Sequence, residues 1–310
     1  MTDSSGEGVR TLVLGLDALA PNVLSRLSPG TTPAIESILE RSASGRLESQ
    51  LPPWTPSAWV SIYTGVNPGK HGIYGFLRFD GYDWDVVNAG DAREWTFWEL
   101  CSQCGLTSVV VNAPVTHPPA AFDGALVPGY TAPEDPACHP EGLLDEIRDA
   151  VGEYRLYNPQ VRDGASRAER VAGYEDLIEM RGAACRYLID REEPDLAFLQ
   201  FQQCDTVFHE FPESDAPERV FSAIDDEVAA TVAAADPETV ILVSDHGIGP
   251  CRGYEVRPNV VLQRLGLVEA TTDGAKPSWS KIANDRLREG SDADGEASSD
   301  GWAPLDVSVT

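Results

Sequence analysis

Thr11-Leu12-Val13-Leu14-Gly15-Leu16-Asp17 (TLVLGLD) is a nearly unbroken apolar run that ends on a carboxylate. A run of this length without polar alternation reads as a strand covered on both faces, as strands of a parallel sheet are. Comparable short runs recur at Thr107–Asn112, Ala125–Val127, Leu196–Phe201 and Thr239–Val243. Helical patterns separate them, at Pro21–Leu27, Pro33–Arg41, Pro56–Tyr63, Glu94–Cys104, Glu141–Val151, Ala165–Arg191, Ala216–Ala234 and Pro258–Leu265. Strands alternating with helices predict an α/β fold: a doubly wound, largely parallel sheet with helices on both faces. Ser44–Leu51 reads as a further strand, Phe76–Gly90 as an aromatic flap, and Val115–Pro140 as a long ordered loop around its short strand. The expected layout is one α/β domain over residues 1–289, with insertions at about 76–90 and 115–165. An acidic, serine-rich flexible segment follows at 290–310.

The 310 residues carry 50 acidic and 23 basic side chains, a net charge of −27, with lysine only at positions 70, 276 and 281. Hydrophobic content is 42%, so this is a folded chain with an acidic surface rather than a disordered polyanion. Such a surface, poor in lysine, suggests a cytoplasmic protein of a salt-loving organism, where salt screens the self-repulsion. A nucleic-acid duplex is disfavoured as a partner, because there is no basic stripe to displace phosphate counterions. The N-terminus lacks the basic and apolar regions of a signal peptide, and no apolar run is long enough to span a membrane. Six dispersed cysteines are expected as free thiols. Cys101-x-x-Cys104 lacks the second pair that a zinc site would need.

The chemistry gathers at Leu51–Gly72 (LPPWTPSAWVSIYTGVNPGKHG) and at three acids. Pro56 suits the first turn of a helix, so Thr55 stands at or beside the N-cap, next to free backbone N–H groups at the positive helix end. Thr55 is then either a capping residue or a nucleophile placed where anions bind. Asp17, Asp205 and Asp245 follow three separate strand patterns, and in open α/β sheets the site lies at the carboxyl ends of strands. Two of them come with histidines, as Asp205-x-x-x-His209 and Asp245-His246, in a chain with five histidines in all. Mixed Asp/His ligation suits zinc or another borderline divalent metal, and a metal pair suits phosphoryl transfer. Trp54, Trp59, Tyr74 and Trp84 offer either an aromatic wall for a leaving group or ordinary core packing. His117 and His139, in Pro-rich loops, read as packing residues.

Taken together these residues resemble the type I phosphodiesterase/nucleotide pyrophosphatase family of the alkaline phosphatase superfamily. The family pattern of a nucleophilic Thr, Thr-Gly nine residues later, and Pro-x-x-His-Gly matches Thr55, Thr64-Gly65 and Pro68–Gly72. Asp17, the Asp205/His209 pair and Ser244–Gly247 match its remaining motifs; Val111–Pro119 and Gly124–Gly129 look like prokaryotic members, here of a haloarchaeal kind. The resemblance implies a phospho-threonine intermediate on Thr55 and two divalent ions, zinc with manganese as the alternative. One ion would be held by Asp17, Thr55, Asp245 and His246, the other by Asp205, His209 and a third ligand. In the family that ligand is a downstream histidine, and this sequence has none after His246. A missing or divergent C-terminal portion is expected on that ground, with an impaired metal- or nucleotide-binding member as the alternative. Phe76 stands where eukaryotic members carry an Asn that holds a phosphoryl oxygen, so their substrate preference does not carry over; Trp54, Tyr74 and Phe76 are the expected substrate contacts. The implied substrate is a small phosphorylated one, a nucleotide or other phosphodiester. Phosphomonoesterase, phosphonate hydrolase and phosphomutase share the catalytic set, whereas a sulfatase would need Cys or Ser at position 55.

Overall fold

A computed structural model describes residues 9–81, 83–161, 164–250, 256–269 and 308–309. Five strands form its main sheet: β1 (Thr11–Leu16), β2 (Ser108–Ala113), β3 (Gly124–Pro128), β4 (Leu196–Phe201) and β5 (Thr239–Val243). Their spatial order is β3-β2-β4-β1-β5, and every neighbouring pair is parallel. The apolar runs of β2, β4 and β1 are what this arrangement demands, because a strand flanked on both edges and covered on both faces has no solvent side; at the edge, β5 leaves Ile241 44% exposed.

Side chains alternate across the sheet, and the two faces take different helices. Val13, Val110 and Phe198 point to one face, where they pack with Trp59, Val60 and Tyr63 of α1 (Thr55–Thr64) and with Trp98. α2 (Arg167–Glu192) lies across β2, β3 and β4, and it packs along α4 (Ala216–Ala235), which contacts β1. A short helix, α3 (Gln203–Glu210), follows β4 and joins it to α4. The expected α/β architecture with helices on both faces is the one observed.

The differences from expectation lie at element ends. The helix expected from Glu94 runs Phe97–Gln103, because Thr96 caps it and Glu99 returns a hydrogen bond to the Thr96 backbone. Ser166 and Glu169 set the start of α2 in the same way. The first helical pattern shortens to Pro21–Leu24. Ser44–Leu51 is not a strand: Leu47 is 65% exposed and the stretch has no face to bury. Phe76–Gly90 contains a hairpin, Leu77–Asp80 with Asp83–Val86, and its Val87 is buried in the core. Asp205 does not end a strand. It sits in the first turn of α3.

The chain divides into two compact units, Met1–Arg78 with Asp85–Ile248, and Phe79–Trp84 with Gly249–Thr310. The five-stranded sheet belongs to the first. In the second, the described residues include the hairpin segment from Phe79, a helix, Pro258–Arg264, and a short antiparallel pair, Val268–Glu269 with Ser308–Val309. Apart from Ser308–Val309, the acidic segment at 290–310 lies outside the described residues. Cys101, Cys104, Cys138, Cys185 and Cys204 are free thiols. Among the described residues no helix is long and apolar enough to cross a membrane.

Candidate active site

Strand register brings the first two acids together. Gly15 pairs with Val243 and Leu16 with Phe201, so Asp17 and Asp245 emerge level at the carboxyl edge. The Asp17 backbone N–H extends the β4 pairing by donating to Phe201 O at 3.1 Å. Ala18 takes a positive φ of 57°, and its N–H donates to Asp245 Oδ1 at 3.2 Å. That contact occupies one oxygen of Asp245 and leaves Oδ2 without a hydrogen bond. Asp17 mirrors it: Oδ2 accepts from Trp59 Nε1 at 2.9 Å and Gln200 Nε2 at 3.0 Å, and Oδ1 makes no hydrogen bond.

His246 completes the cluster. Its Nδ1–H donates to Gly247 O at 3.1 Å, which turns a bare Nε2 toward the acids in the neutral ring. Around that Nε2 stand Thr55 Oγ1 at 3.2 Å, Asp245 Oδ2 at 3.2 Å and Asp17 Oδ1 at 3.6 Å. Donor atoms about 2.0–2.2 Å from a tetrahedral zinc lie about 3.3–3.6 Å from one another. The spacing, the hard-and-borderline donor set and the two orphaned carboxylate oxygens fit a divalent cation. Asp17, Asp245 and His246 are the one such group of three among the described residues.

Thr55 arrives on α1. Trp54 is the N-cap of that helix, and no side chain caps it. The Thr55 hydroxyl, in a residue 6% exposed, is therefore free of its own helix end and faces His246. The helix is held from below by wholly buried His71. Its Nδ1 accepts from Ile73 N–H, and its Nε2–H donates to Ser61 Oγ at 2.9 Å. Burial lowers the His71 pKa to about 4, so this imidazole is a neutral strut.

The expected second set is only partly assembled. His209 Nε2 lies 3.4 Å from Asp205 Oδ1, but the His209 side chain is 69% exposed. Donation to the Asp205 carboxylate favours the protonated ring and raises the His209 pKa. Of the expected substrate contacts, Trp54 is 49% exposed and Tyr74 57%. The ring of Trp54 lies against Gly75, where a Cβ would come within 2.6 Å of it, and 6.4 Å from the ring of Phe76. Phe76 meets Tyr130 edge-on at 5.9 Å. Burial, then the charges of Asp205 and Asp17, push the Tyr130 hydroxyl up to about 12. Tyr130 and Gln200 carry no motif and escape a reading by spacing. Trp59, read equally as wall or core, is wholly buried: it packs in the core instead of lining a leaving-group wall, and its Nε1–H reaches Asp17.

Burial, reinforced by Asp245 and Asp205, raises Asp17 well above the carboxylate range, and burial lifts Asp245 to about 6. An acid with a folded pKa above its unfolded value of about 3.9 binds an extra proton in the folded state. Stability of the metal-free protein should therefore fall as pH rises from about 4 to about 6. A bound cation keeps the carboxylates ionised and removes that loss. The thermal-midpoint difference between metal-loaded and chelator-treated protein is expected to widen between about pH 4 and about pH 6. Comparing the two forms at each pH cancels the background of the other acids; a constant difference contradicts the assignment.

The family model described as type I phosphodiesterase/nucleotide pyrophosphatase matches residues 11–300. No curated protein sequence matches significantly. Among solved structures, phosphonoacetate hydrolase from Sinorhizobium meliloti 1021, in complex with phosphonoformate, aligns at 18% identity and a TM-score of 0.55 over 86% of this chain. Murine ectonucleotide pyrophosphatase/phosphodiesterase 5, in complex with AMP, aligns at 17% identity and a TM-score of 0.49 over 79% of this chain. The chain spans 65% of the first protein and 58% of the second. The first likeness is one of fold.

Proposed function

The chain belongs to the type I phosphodiesterase/nucleotide pyrophosphatase family, and from that premise we propose that it is a metal-dependent phosphohydrolase, a phosphodiesterase working through a phospho-threonine on Thr55. The observation that carries the reading is the Thr55 hydroxyl on the same imidazole nitrogen that Asp17 and Asp245 face. Asp17, Thr55, Asp245 and His246 are the residues to hold one divalent ion, and Asp205 with His209 are the residues to bear on a second. Zinc suits the donor set best, with manganese as the alternative. Such ions supply Lewis acidity that neutralises charge building on phosphoryl oxygens.

The chain's own residues do the positioning. β-Branching limits the χ1 of Thr55, and its place at the start of α1 sets its oxygen beside the free N–H groups of that helix. That oxygen attacks phosphorus while the bond to the departing alcohol oxygen breaks. The threonine loses its proton and the leaving oxygen takes one up. Water then releases the phosphoryl group and restores the hydroxyl. Trp54 and Phe76 supply an apolar wall for the organic part of the ester, with Tyr74 at its exposed margin. The substrate is a small phosphorylated molecule, a nucleotide or related diester. The likeness to a phosphonoacetate hydrolase keeps a phosphonate within the same proposal, beside phosphomonoesterase and phosphomutase chemistry.

The test is to quench a turnover mixture with acid and map the protein by mass spectrometry. A phosphoryl group on the Trp54–Pro56 segment is expected; active enzyme that never carries one there refutes the mechanism. A second reading, a metal- or nucleotide-binding member without catalysis, is favoured by the partly assembled second set, in which the His209 side chain stands 69% exposed beside Asp205. Metal analysis separates the two: two equivalents support the enzyme, one supports the binder. The net charge of −27 further supports a cytoplasmic protein of a salt-rich cell. Dilution to about 0.1 M salt is then expected to unfold or aggregate it, and undiminished circular dichroism there counts against that setting.

A further inference from the structure

Asp17 has two equivalent oxygens, yet only one reaches the ligand cluster. The other, Oδ2, accepts two hydrogen bonds, from Trp59 Nε1–H at 2.9 Å and from Gln200 Nε2–H at 3.0 Å. The acid and both donors are wholly buried, so these bonds have no water to compete with them. Gln200 is oriented in turn. Asn112 Nδ2–H donates to its side-chain Oε1 at 2.8 Å and to its backbone O at 3.0 Å. Because Asn112 occupies the amide oxygen, the amide N–H2 must face Asp17. Asn112 does this from a positive φ of 66°, a conformation Asn tolerates better than most residues.

Gly15 makes the arrangement sterically possible. A Cβ there would come within 2.6 Å of the Trp59 ring and 3.3 Å of Gln200 Cγ. One missing side chain on β1 thus admits both donors, arriving from α1 and β4, to the same oxygen. Rotating the carboxylate would break two charge-assisted hydrogen bonds in a dry interior. Oδ1 is left without a hydrogen bond, 3.6 Å from His246 Nε2.

We infer that Trp59 and Gln200, with Gln200 oriented by Asn112, are positioning residues that dedicate Oδ1 of Asp17 to a divalent cation. This rests on reading Asp17, Asp245 and His246 as the cation site. Outer partners of this kind hold a ligand in its binding orientation and so raise affinity for the ion.

Zn²⁺ affinity, measured by competition with a chromogenic chelator, tests the inference on Trp59→Phe and Gln200→Met, with Asp245→Asn as control. Each positioning variant is expected to bind Zn²⁺ about 10–100-fold more weakly. The double variant should bind more weakly still, and the visible spectrum of the Co²⁺ form should change. Gly15→Ala should reproduce the loss by displacing both donors. Should Trp59→Phe fail to fold, Gln200→Met decides alone. Lower unfolding midpoints with wild-type Zn²⁺ affinity would assign these residues a structural role only and overturn the inference. Asp245→Asn separates the two levels. If it loses Zn²⁺ while the positioning variants do not, the positioning inference alone fails. If it too binds normally, the cation site itself is refuted, and the inference with it.

Discussion

Thr55→Ala is expected to lower turnover of an aryl phosphodiester at least about a thousandfold, while fold and bound metal persist. A threonine at a helix start is ordinarily explained as a cap, and loss of such a cap costs about 1 kcal/mol. Here that explanation has little to act on, because Trp54 holds the cap position and the helix end receives no side-chain hydrogen bond. Thr55 instead faces His246 Nε2 at 3.2 Å. Removing the hydroxyl should therefore leave the melting temperature nearly unchanged and act on chemistry. Asp17, Asp245 and His246 remain to retain the ion. Thr55→Ser should keep partial activity, since it retains the oxygen and loses the methyl that restricts its rotamer. Steady-state kinetics beside metal analysis decide the matter: full turnover in Thr55→Ala removes Thr55 from the mechanism.

Asp245→Asn should abolish activity by emptying the cation site rather than by unfolding the protein. The substitution is isosteric, and its side-chain carbonyl can still accept the Ala18 N–H that Asp245 Oδ1 now accepts at 3.2 Å. What disappears is the charge on Oδ2, the oxygen that makes no hydrogen bond and lies 3.2 Å from His246 Nε2. A buried carboxylate without its cation is costly, so the metal-free variant should be at least as stable as metal-free wild type at neutral pH. The two effects have opposite signs, affinity down and apo stability level or up. An acid that merely held β5 to β1 would instead lower stability and leave zinc affinity alone. Equilibrium dialysis against Zn²⁺ and thermal melts in chelator measure the two quantities on one preparation.

By itself, the sequence determined the fold class and marked the candidate donor residues. The strands at Leu196–Phe201 and Thr239–Val243 were legible to the residue, because each is a short apolar run bounded by polar residues, fully covered in the first and at the sheet edge in the second. Asp17, Thr55, Asp245 and His246 were legible as candidate donors because each follows a strand or opens a helix, and spacing records that position. Two things were not. Helix starts slipped where a capping Thr or Ser, a matter of one hydrogen bond, sets the boundary; Asp205, expected at a strand end, proved to lie in the first turn of α3.

Only the tertiary structure decided which oxygen faces the site. The order β3-β2-β4-β1-β5 places Asp17 between β4 and β5, and pairing of parallel strands across long connections leaves no local trace. Trp59, Gln200 and Asn112 come from three different elements to order a single carboxylate, so no spacing in the chain announces them. Local sequence chooses donor atoms and strand ends; burial and register choose where a lone pair points, because those depend on contacts between residues far apart in the chain.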